Sequence, residues 1–328
     1  MLFNFISVFL IGFAVTIIIS PLIIKLAKKI KAEQTILHYV KEHSSKQGTP
    51  TMGGLMFILP AIIIPLIFFT SDYMYGIISL AVFLAYAVLG FLDDFIKVHY
   101  KQNLGLRAYQ KILGQLGISI IVAIFVYKTI GSTIFIPFTS LQIDLGWFII
   151  PFIVLIYLST VNSVNLIDGL DGLSTSSSIN YLFFFAIILI LSLNLYSGFE
   201  VTEIQNLTIC IFALLGCLFA FLFFNCYPAK IFMGDTGSLA VGALMITVAS
   251  ITGTTLHLLL FGLPFVVTGI SVLLQVAYYK LTKKRIFLMA PLHHHFEKLG
   301  WSEVEIVRLF WVFGFILAMA GIIFGVWI

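Results

Sequence analysis

The sequence predicts an all-α polytopic membrane protein with about ten transmembrane helices and both termini outside. Three observations carry that reading. Of 328 residues, 61% are hydrophobic and 10% charged, at a mean hydropathy of +1.12, where soluble domains average roughly 45–50% and 25%. Apolar runs close to the roughly 20 residues that cross a bilayer recur from one end of the chain to the other. The charged residues between those runs alternate in sign. The same composition excludes other classes. A soluble fold of this length cannot hide so much apolar surface, three cysteines make no disulfide framework, and 33 Phe with 13 Tyr argue against disorder.

Taken in order, spans are expected near 2–24, 53–70, 75–92, 112–130, 147–164, 174–195, 207–226, 238–256, 259–279 and 305–327. The first lacks a charged leader and a small-residue cleavage site, so it reads as a helix, not a signal peptide. The second is short enough for tilt or a broken helix. Between the fourth and fifth, Gly131-Ser132 followed by Thr133-Ile134-Phe135-Ile136 predicts a short hairpin within 131–146. Cys210, Cys217 and Cys226 read as small packing residues. No repeat is visible, so residues 1–328 read as one integral membrane domain. Loops containing Lys25, Lys28, Lys29, Lys31, Lys41, Lys46, Lys97, Lys101, Arg107, Lys111, Lys230, Lys280, Lys283, Lys284, Arg285, Lys298 and Arg308 fall on one side; of the 18 basic residues only Lys128 falls on the other, with Asp72, Asp144, Glu200 and Glu203. The positive-inside rule puts the basic set in the cytoplasm.

Four clusters on that side carry chemistry. Asp93 and Asp94 end the third span near Lys97. Adjacent helical residues point about 100° apart, so the two carboxylates are expected not to face one ligand alike. One can serve as base or metal ligand while the other orients partners, and a helix end set against lysines explains the pair equally well. The second cluster places Asn162, Asn165, Asp168 and Asp171 at every third position, neighbours along a helical turn, with Gly169 and Gly172 clearing space for a phosphate or backbone. An Asp-Gly turn is the plainer reading, but the strict spacing at the end of an apolar span favours a site. The longer Asp-rich signature of CDP-alcohol phosphotransferases is absent. The third runs from Asn225 through Phe232 to Gly234-Asp235-Thr236-Gly237-Ser238, a turn feeding the eighth span. A helix N-terminus offers free N–H groups to phosphate, and Asp235 can hold a magnesium ion bridging it; an N-cap at Ser238 is compatible with both. The fourth is Pro291-Leu292-His293-His294-His295-Phe296-Glu297 in the last inner loop. Consecutive histidines lack the spacing of a helical zinc site, but imidazoles can donate to phosphate or carboxylate oxygens. A loop touching anionic lipid through Lys283, Lys284 and Arg285 is the alternative. Carboxylates, amides and lysines together point to hard-cation phosphoryl chemistry, and no G-x-x-x-x-G-K-[ST] loop supports a nucleoside triphosphatase.

These segments, together with Gly48-Thr49-Pro50-Thr51-Met52-Gly53-Gly54 and Asn103-Leu104-Gly105-Leu106, resemble the phospho-N-acetylmuramoyl-pentapeptide-transferase (MraY) family of the polyprenyl-phosphate N-acetylhexosamine-1-phosphate transferase superfamily. The match runs nearly end to end, and the triple-His loop separates this family from sister transferases that take UDP-GlcNAc. The resemblance implies a ten-helix homodimer in the bacterial cytoplasmic membrane, with a cytoplasm-facing cleft and a broken ninth helix, for which Gly269 is the candidate break. It implies transfer of phospho-MurNAc-pentapeptide from UDP-MurNAc-pentapeptide to undecaprenyl phosphate, giving lipid I and UMP with Mg2+. Partners are then the two substrates, membrane lipid and a second copy of the chain, with no nucleic acid. Catalytic roles carry over to Asp93, Asp94, Asp235 and His294, with Asp235 the magnesium ligand. Lys97 and Lys111 correspond to the lipid-phosphate side and Lys46 to the nucleotide side. Asn162, Asn165, Asp168 and Asp171 hold the nucleotide and polar network, and Phe232 stacks on uracil near Asn225 and Gln275. Thr51, Gly234, Ser238, His293 and His295 complete the substrate contacts. An aspartyl phospho-enzyme is the alternative mechanism. Two rivals differ in class or donor: a UDP-GlcNAc transferase, which the histidines oppose, and a transporter, which would place carboxylates at mid-membrane within inverted repeats.

Overall fold

Lipid offers no partner to a backbone N–H, so each apolar run must hydrogen-bond to itself. The computed structural model describes residues 2–30, 32, 46, 48–100, 104–137, 139, 141–191 and 199–325. Lys31, Lys41, Lys101 and Asn103, used in the sequence reading, lie outside them. Among the described residues, nine helices are long and apolar enough to cross a membrane: α1 (Leu2–Lys29), α3 (Met74–His99), α4 (Ala108–Thr129), α5 (Ile149–Ile167), α6 (Leu173–Leu191), α7 (Val201–Asn225), α8 (Gly234–Ile251), α10 (Leu263–Thr282) and α12 (Glu303–Gly325). Between them stand the shorter α2 (Leu55–Phe68), α9 (Leu258–Phe261) and α11 (Leu292–Lys298). The fold is an all-α polytopic membrane bundle. With 14 residues, α2 rises about 21 Å, short of the roughly 30 Å hydrocarbon core.

The helix at the centre is α8. Of its apolar window 89% is buried, against 17% for α10. Small residues let neighbours come close: a Cβ on Gly242 would stand 3.0 Å from the Val161 Cα of α5, and one on Gly90 of α3 would collide with the Asp235 carbonyl. The α1 helix packs on α7, and α6 lies between α7 and α12. At the end opposite Asp235, β1 (Thr133–Phe135) pairs antiparallel with β2 (Gln142–Asp144), the hairpin expected within 131–146. It is tied to the chain just past the C-terminus of α8 by the Phe135 N–H donating to the Gly253 carbonyl (2.9 Å).

Three sequence expectations are corrected. The helix interruption lies at Gly262, between α9 and α10, with Pro264 at the start of α10 where proline is readily accommodated. Gly269 lies inside α10, where a Cβ would strike the Ser163 hydroxyl of α5, so that glycine serves a close helix crossing. Ser238 is not an N-cap: α8 begins four residues earlier, and the Ser238 hydroxyl donates back to the Gly234 carbonyl (3.0 Å). The three histidines lie on a short helix, α11, not in an open loop.

Candidate active site

The end of the bundle opposite the β1–β2 hairpin gathers the first three clusters. The segment after Thr49 runs beside the start of α8: Phe232 N–H donates to Pro50 O (2.8 Å), Gly53 N–H to Phe232 O (2.8 Å) and Gly54 N–H to Met233 O (2.9 Å). Only glycine fits this approach, since a Cβ on Gly54 would stand 2.5 Å from the Gly237 nitrogen. Thr51 is thereby buried against Gly234.

Asp93 and Asp94 are buried near the C-terminal end of α3. The first turn of α8 inserts against both, and the two carboxylates make different contacts with it and its surroundings, as their 100° divergence leads one to expect. Oxygens of Asp93, Asp94 and Asp235 lie within 4.8 Å of one another. Asp94 caps α8: it accepts the Asp235 N–H (3.2 Å), the Thr236 N–H (2.9 Å) and the Thr236 hydroxyl (2.6 Å), satisfying donors that a helix start leaves open. Asp93 accepts the Leu106 N–H (2.9 Å), which reaches it because Gly105 has no side chain.

Two ammonium groups face the three carboxylates. Lys97 lies 2.6 Å from Asp93 Oδ2 and 3.1 Å from Asp235 Oδ2, and Lys111 lies 2.7 Å from Asp235 Oδ2. Asn165 donates to the other Asp235 oxygen (2.7 Å) and to the Ser238 hydroxyl (2.9 Å). Counted formally, three carboxylates and two ammonium groups leave one negative charge unbalanced among these five groups. Asp168, just past α5, accepts the Gly234 N–H; burial first, then the charges of Asp235 and Asp94, push its carboxyl well above the ordinary carboxylate range.

A second centre lies alongside. Lys46 bridges Asp171 (2.6 Å) and Glu303 (2.5 Å) and stands 6.0 Å from the Phe232 ring centre. Glu303 also accepts the Asp171 N–H, and Asp171 accepts the Ala229 N–H (2.9 Å). Sequence reasoning missed Glu303; its one signal is a carboxylate in the first turn of the last helix. On α11, His293 is buried with its ring 4.3 Å from that of His294, and Gly169 lies against both. His294 Nδ1 is 2.5 Å from Glu297. His295 accepts the Leu288 N–H (3.1 Å) and packs on Phe287, so it holds its own loop.

The structure does not group Phe232, Asn225 and Gln275 through their side chains. Asn225 is buried between Thr175 (2.6 Å) and the Ile231 carbonyl (3.1 Å), and Gln275 bonds Ile286 and Phe287. Asn162 faces Gln115, a turn deeper than Asn165. Gln115 had no signal in the sequence.

Fold and site define a membrane-embedded phosphoryl-group transferase with an acidic, lysine-lined centre at one end of the bundle. Residues 74–254 match the profile of glycosyl transferase family 4, and residues 46–58 match the first phospho-N-acetylmuramoyl-pentapeptide-transferase signature. The chain is 43% identical over 318 residues, 97% of its length and 95% of the relative's, to the phospho-N-acetylmuramoyl-pentapeptide-transferase of Clostridium botulinum (strain Eklund 17B / Type B). Against the protein of that name from Bacillus subtilis (strain 168) it is 41% identical over 324 residues, 97% of both chains. The chain belongs to the phospho-N-acetylmuramoyl-pentapeptide-transferase family.

Proposed function

We propose that the protein transfers phospho-MurNAc-pentapeptide from UDP-MurNAc-pentapeptide to undecaprenyl phosphate, releasing UMP and forming lipid I at the cytoplasmic face of the bacterial plasma membrane. The observation that carries this reading is the convergence of Asp93, Asp94, Asp235, Lys97, Lys111 and Asn165 from four helices at one end of the bundle. Both substrates are anionic at the reacting phosphorus, and preorganised positive charge is the largest lever on such a reaction.

The carboxylates fit a divalent cation. They offer hard oxygen donors within 4.8 Å, and Gly234 leaves open the space where a Cβ would stand 2.5 Å from Asp94 Oδ2 and 2.9 Å from Thr51 Oγ1. Asp235 is its principal ligand, with Asp93 and Asp94 adjacent; Mg2+ supplies charge against the diphosphate oxygens when bound. Lys97 and Lys111 receive the lipid phosphate. Asp93 deprotonates or positions that phosphate, whose oxygen attacks the sugar-side phosphorus as the bond to the departing UMP breaks. Asp94 keeps the first turn of α8 in place. Lys46, Asp171 and Phe232 take the nucleotide, and His294 donates to the diphosphate. The chain works as one membrane domain, in a homodimer, with the basic loops inside.

Purified protein is assayed for UMP release with each nucleotide sugar in turn. UMP release with UDP-MurNAc-pentapeptide, undecaprenyl phosphate and Mg2+, absent in chelator, is expected. Efficient use of UDP-GlcNAc in place of the muramyl donor overturns the assignment.

A further inference from the structure

Directly outward from the acidic centre, the helices that build it are tied together by side chains that touch no acidic group. Gln115, on α4, is fully buried within the membrane-spanning part of the bundle. Burying an amide in apolar surroundings costs free energy unless its hydrogen bonds are made. Here they are made with another amide. Asn162 Nδ2 donates to Gln115 Oε1 (2.7 Å), and Gln115 Nε2 donates to Asn162 Oδ1 (3.3 Å). The second proton of Asn162 Nδ2 goes to the Leu158 carbonyl (2.8 Å), so both donors of Asn162 are committed inside the bundle. The Tyr86 hydroxyl of α3 donates to the Gln115 backbone carbonyl (3.1 Å). Tyr86 stacks on Tyr157 of α5 (6.3 Å between ring centres), whose hydroxyl donates to Thr247 of α8 (2.7 Å).

The spacing along each helix turns this layer into a foundation. Gln115 lies four residues from Lys111, Asn162 three from Asn165, and Tyr86 seven from Asp93, each pair on one helical face. Lys111 and Asn165 grip opposite oxygens of Asp235, at 2.7 Å each. The amide pair therefore fixes the relative height of α4 and α5 one turn beneath the two groups that hold Asp235.

We propose that Gln115 is a positioning residue: by pairing with Asn162 it sets the register of α4 against α5 and so places the Lys111 ammonium and the Asn165 amide on Asp235. This rests on the reading of Asp235 as the reacting centre, and it gives Asn162 a structural partner in place of a substrate.

The test uses Gln115→Met, which keeps volume and removes the amide, Gln115→Asn, which leaves the amide one methylene short, and the exchange Gln115→Asn with Asn162→Gln, which restores the total length. Single variants are expected to lower kcat about ten- to a hundredfold with KM for the nucleotide sugar within about twofold, and the exchange is expected to recover most of the loss. A second readout needs neither substrate nor metal: acetylation of lysines by an amine-reactive reagent, followed by mass spectrometry. In the single variants Lys111 is expected to react several-fold faster while Lys97, anchored from its own helix by Asp93, is unchanged. Wild-type turnover and reactivity in both single variants overturn the proposal. So does equal acceleration at Lys97 and Lys111 with a lowered melting temperature, which marks general loosening, and so does failure of the exchange to recover. If Gln115→Met does not fold, Gln115→Asn and the exchange decide. Should the wild type release no UMP, the functional reading fails, and the acetylation arm still decides this one.

Discussion

Asp235 receives two ammoniums and one amide, from three different helices, on two oxygens, and it is flanked by two further carboxylates. Replacing it with Asn keeps the shape, removes the charge a hard cation needs and leaves Lys97 and Lys111 short of an anion. Turnover is expected to fall by at least about a hundred- to thousandfold, as measured by UMP release at saturating Mg2+; near-wild-type turnover rejects the ligand role. Asp168 makes the opposite electrostatic point. Its carboxyl is raised by burial and by Asp235 and Asp94. A group raised in the folded state contributes its stability below its unfolded value and loses it as pH climbs toward the folded one. Asn at 168 can still accept the Gly234 N–H without that loss. In chelator, Asp168→Asn is expected to melt higher than the wild type at pH 7, with the gain vanishing below about pH 4. An equal difference at both pH values rejects the electrostatic origin.

At the scale of elements, the first turn of α8 and the short α11 bring distant chemistry together. The α8 start is possible because Gly54, Gly90 and Gly234 carry no side chain where Gly237, the Asp235 carbonyl and Asp94 approach. Gly54 and Gly234 are visible in the sequence as turn residues and Gly90 is hidden within an apolar span; the residues all three admit are hidden too, because those approaches join segments far apart along the chain. On α11, successive histidines point in different directions, as neighbouring helical residues must. His293 is buried, so exchanging all three for lysine would test burial as much as chemistry; single changes separate them. His294, beside Gly169 and bonded to Glu297, is expected to lose about a hundredfold in kcat as His294→Ala. His295→Ala loses a hydrogen bond within its own loop and is expected to stay within about threefold. Equal losses at the two positions, with unchanged melting profiles, reject the division of roles.

Across the whole molecule, the apolar spans, the hairpin and the four clusters are legible in the sequence because each depends on local length, periodicity or spacing. The Gly262 interruption was not, because Gly269 is an equally plausible glycine within the same run and only packing against Ser163 tells them apart. Gln115 with Asn162, 47 residues apart, and Lys46 with Glu303, 257 apart, leave no periodic trace, since such pairs are set by how helices stack. The proposed orientation in the membrane likewise rests on the charge pattern of the whole chain. Every described member of the acidic centre lies at the end of the bundle opposite the β1–β2 hairpin, and the described basic residues apart from Lys128 lie toward that same end. Positive residues are retained in the cytoplasm, so the proposed orientation has the hairpin outside. The protein carries its own reporter: Cys226, exposed, ends α7 at the acidic end, while Cys210 and Cys217 are buried. In intact cells an impermeant thiol reagent is expected to leave the native protein unlabelled and to label Gln142→Cys, whose position on β2 is exposed. After permeabilisation Cys226 should label as well. Labelling of native Cys226 in intact cells, with Gln142→Cys protected, inverts the topology and removes the active site from the compartment where nucleotide sugars are made.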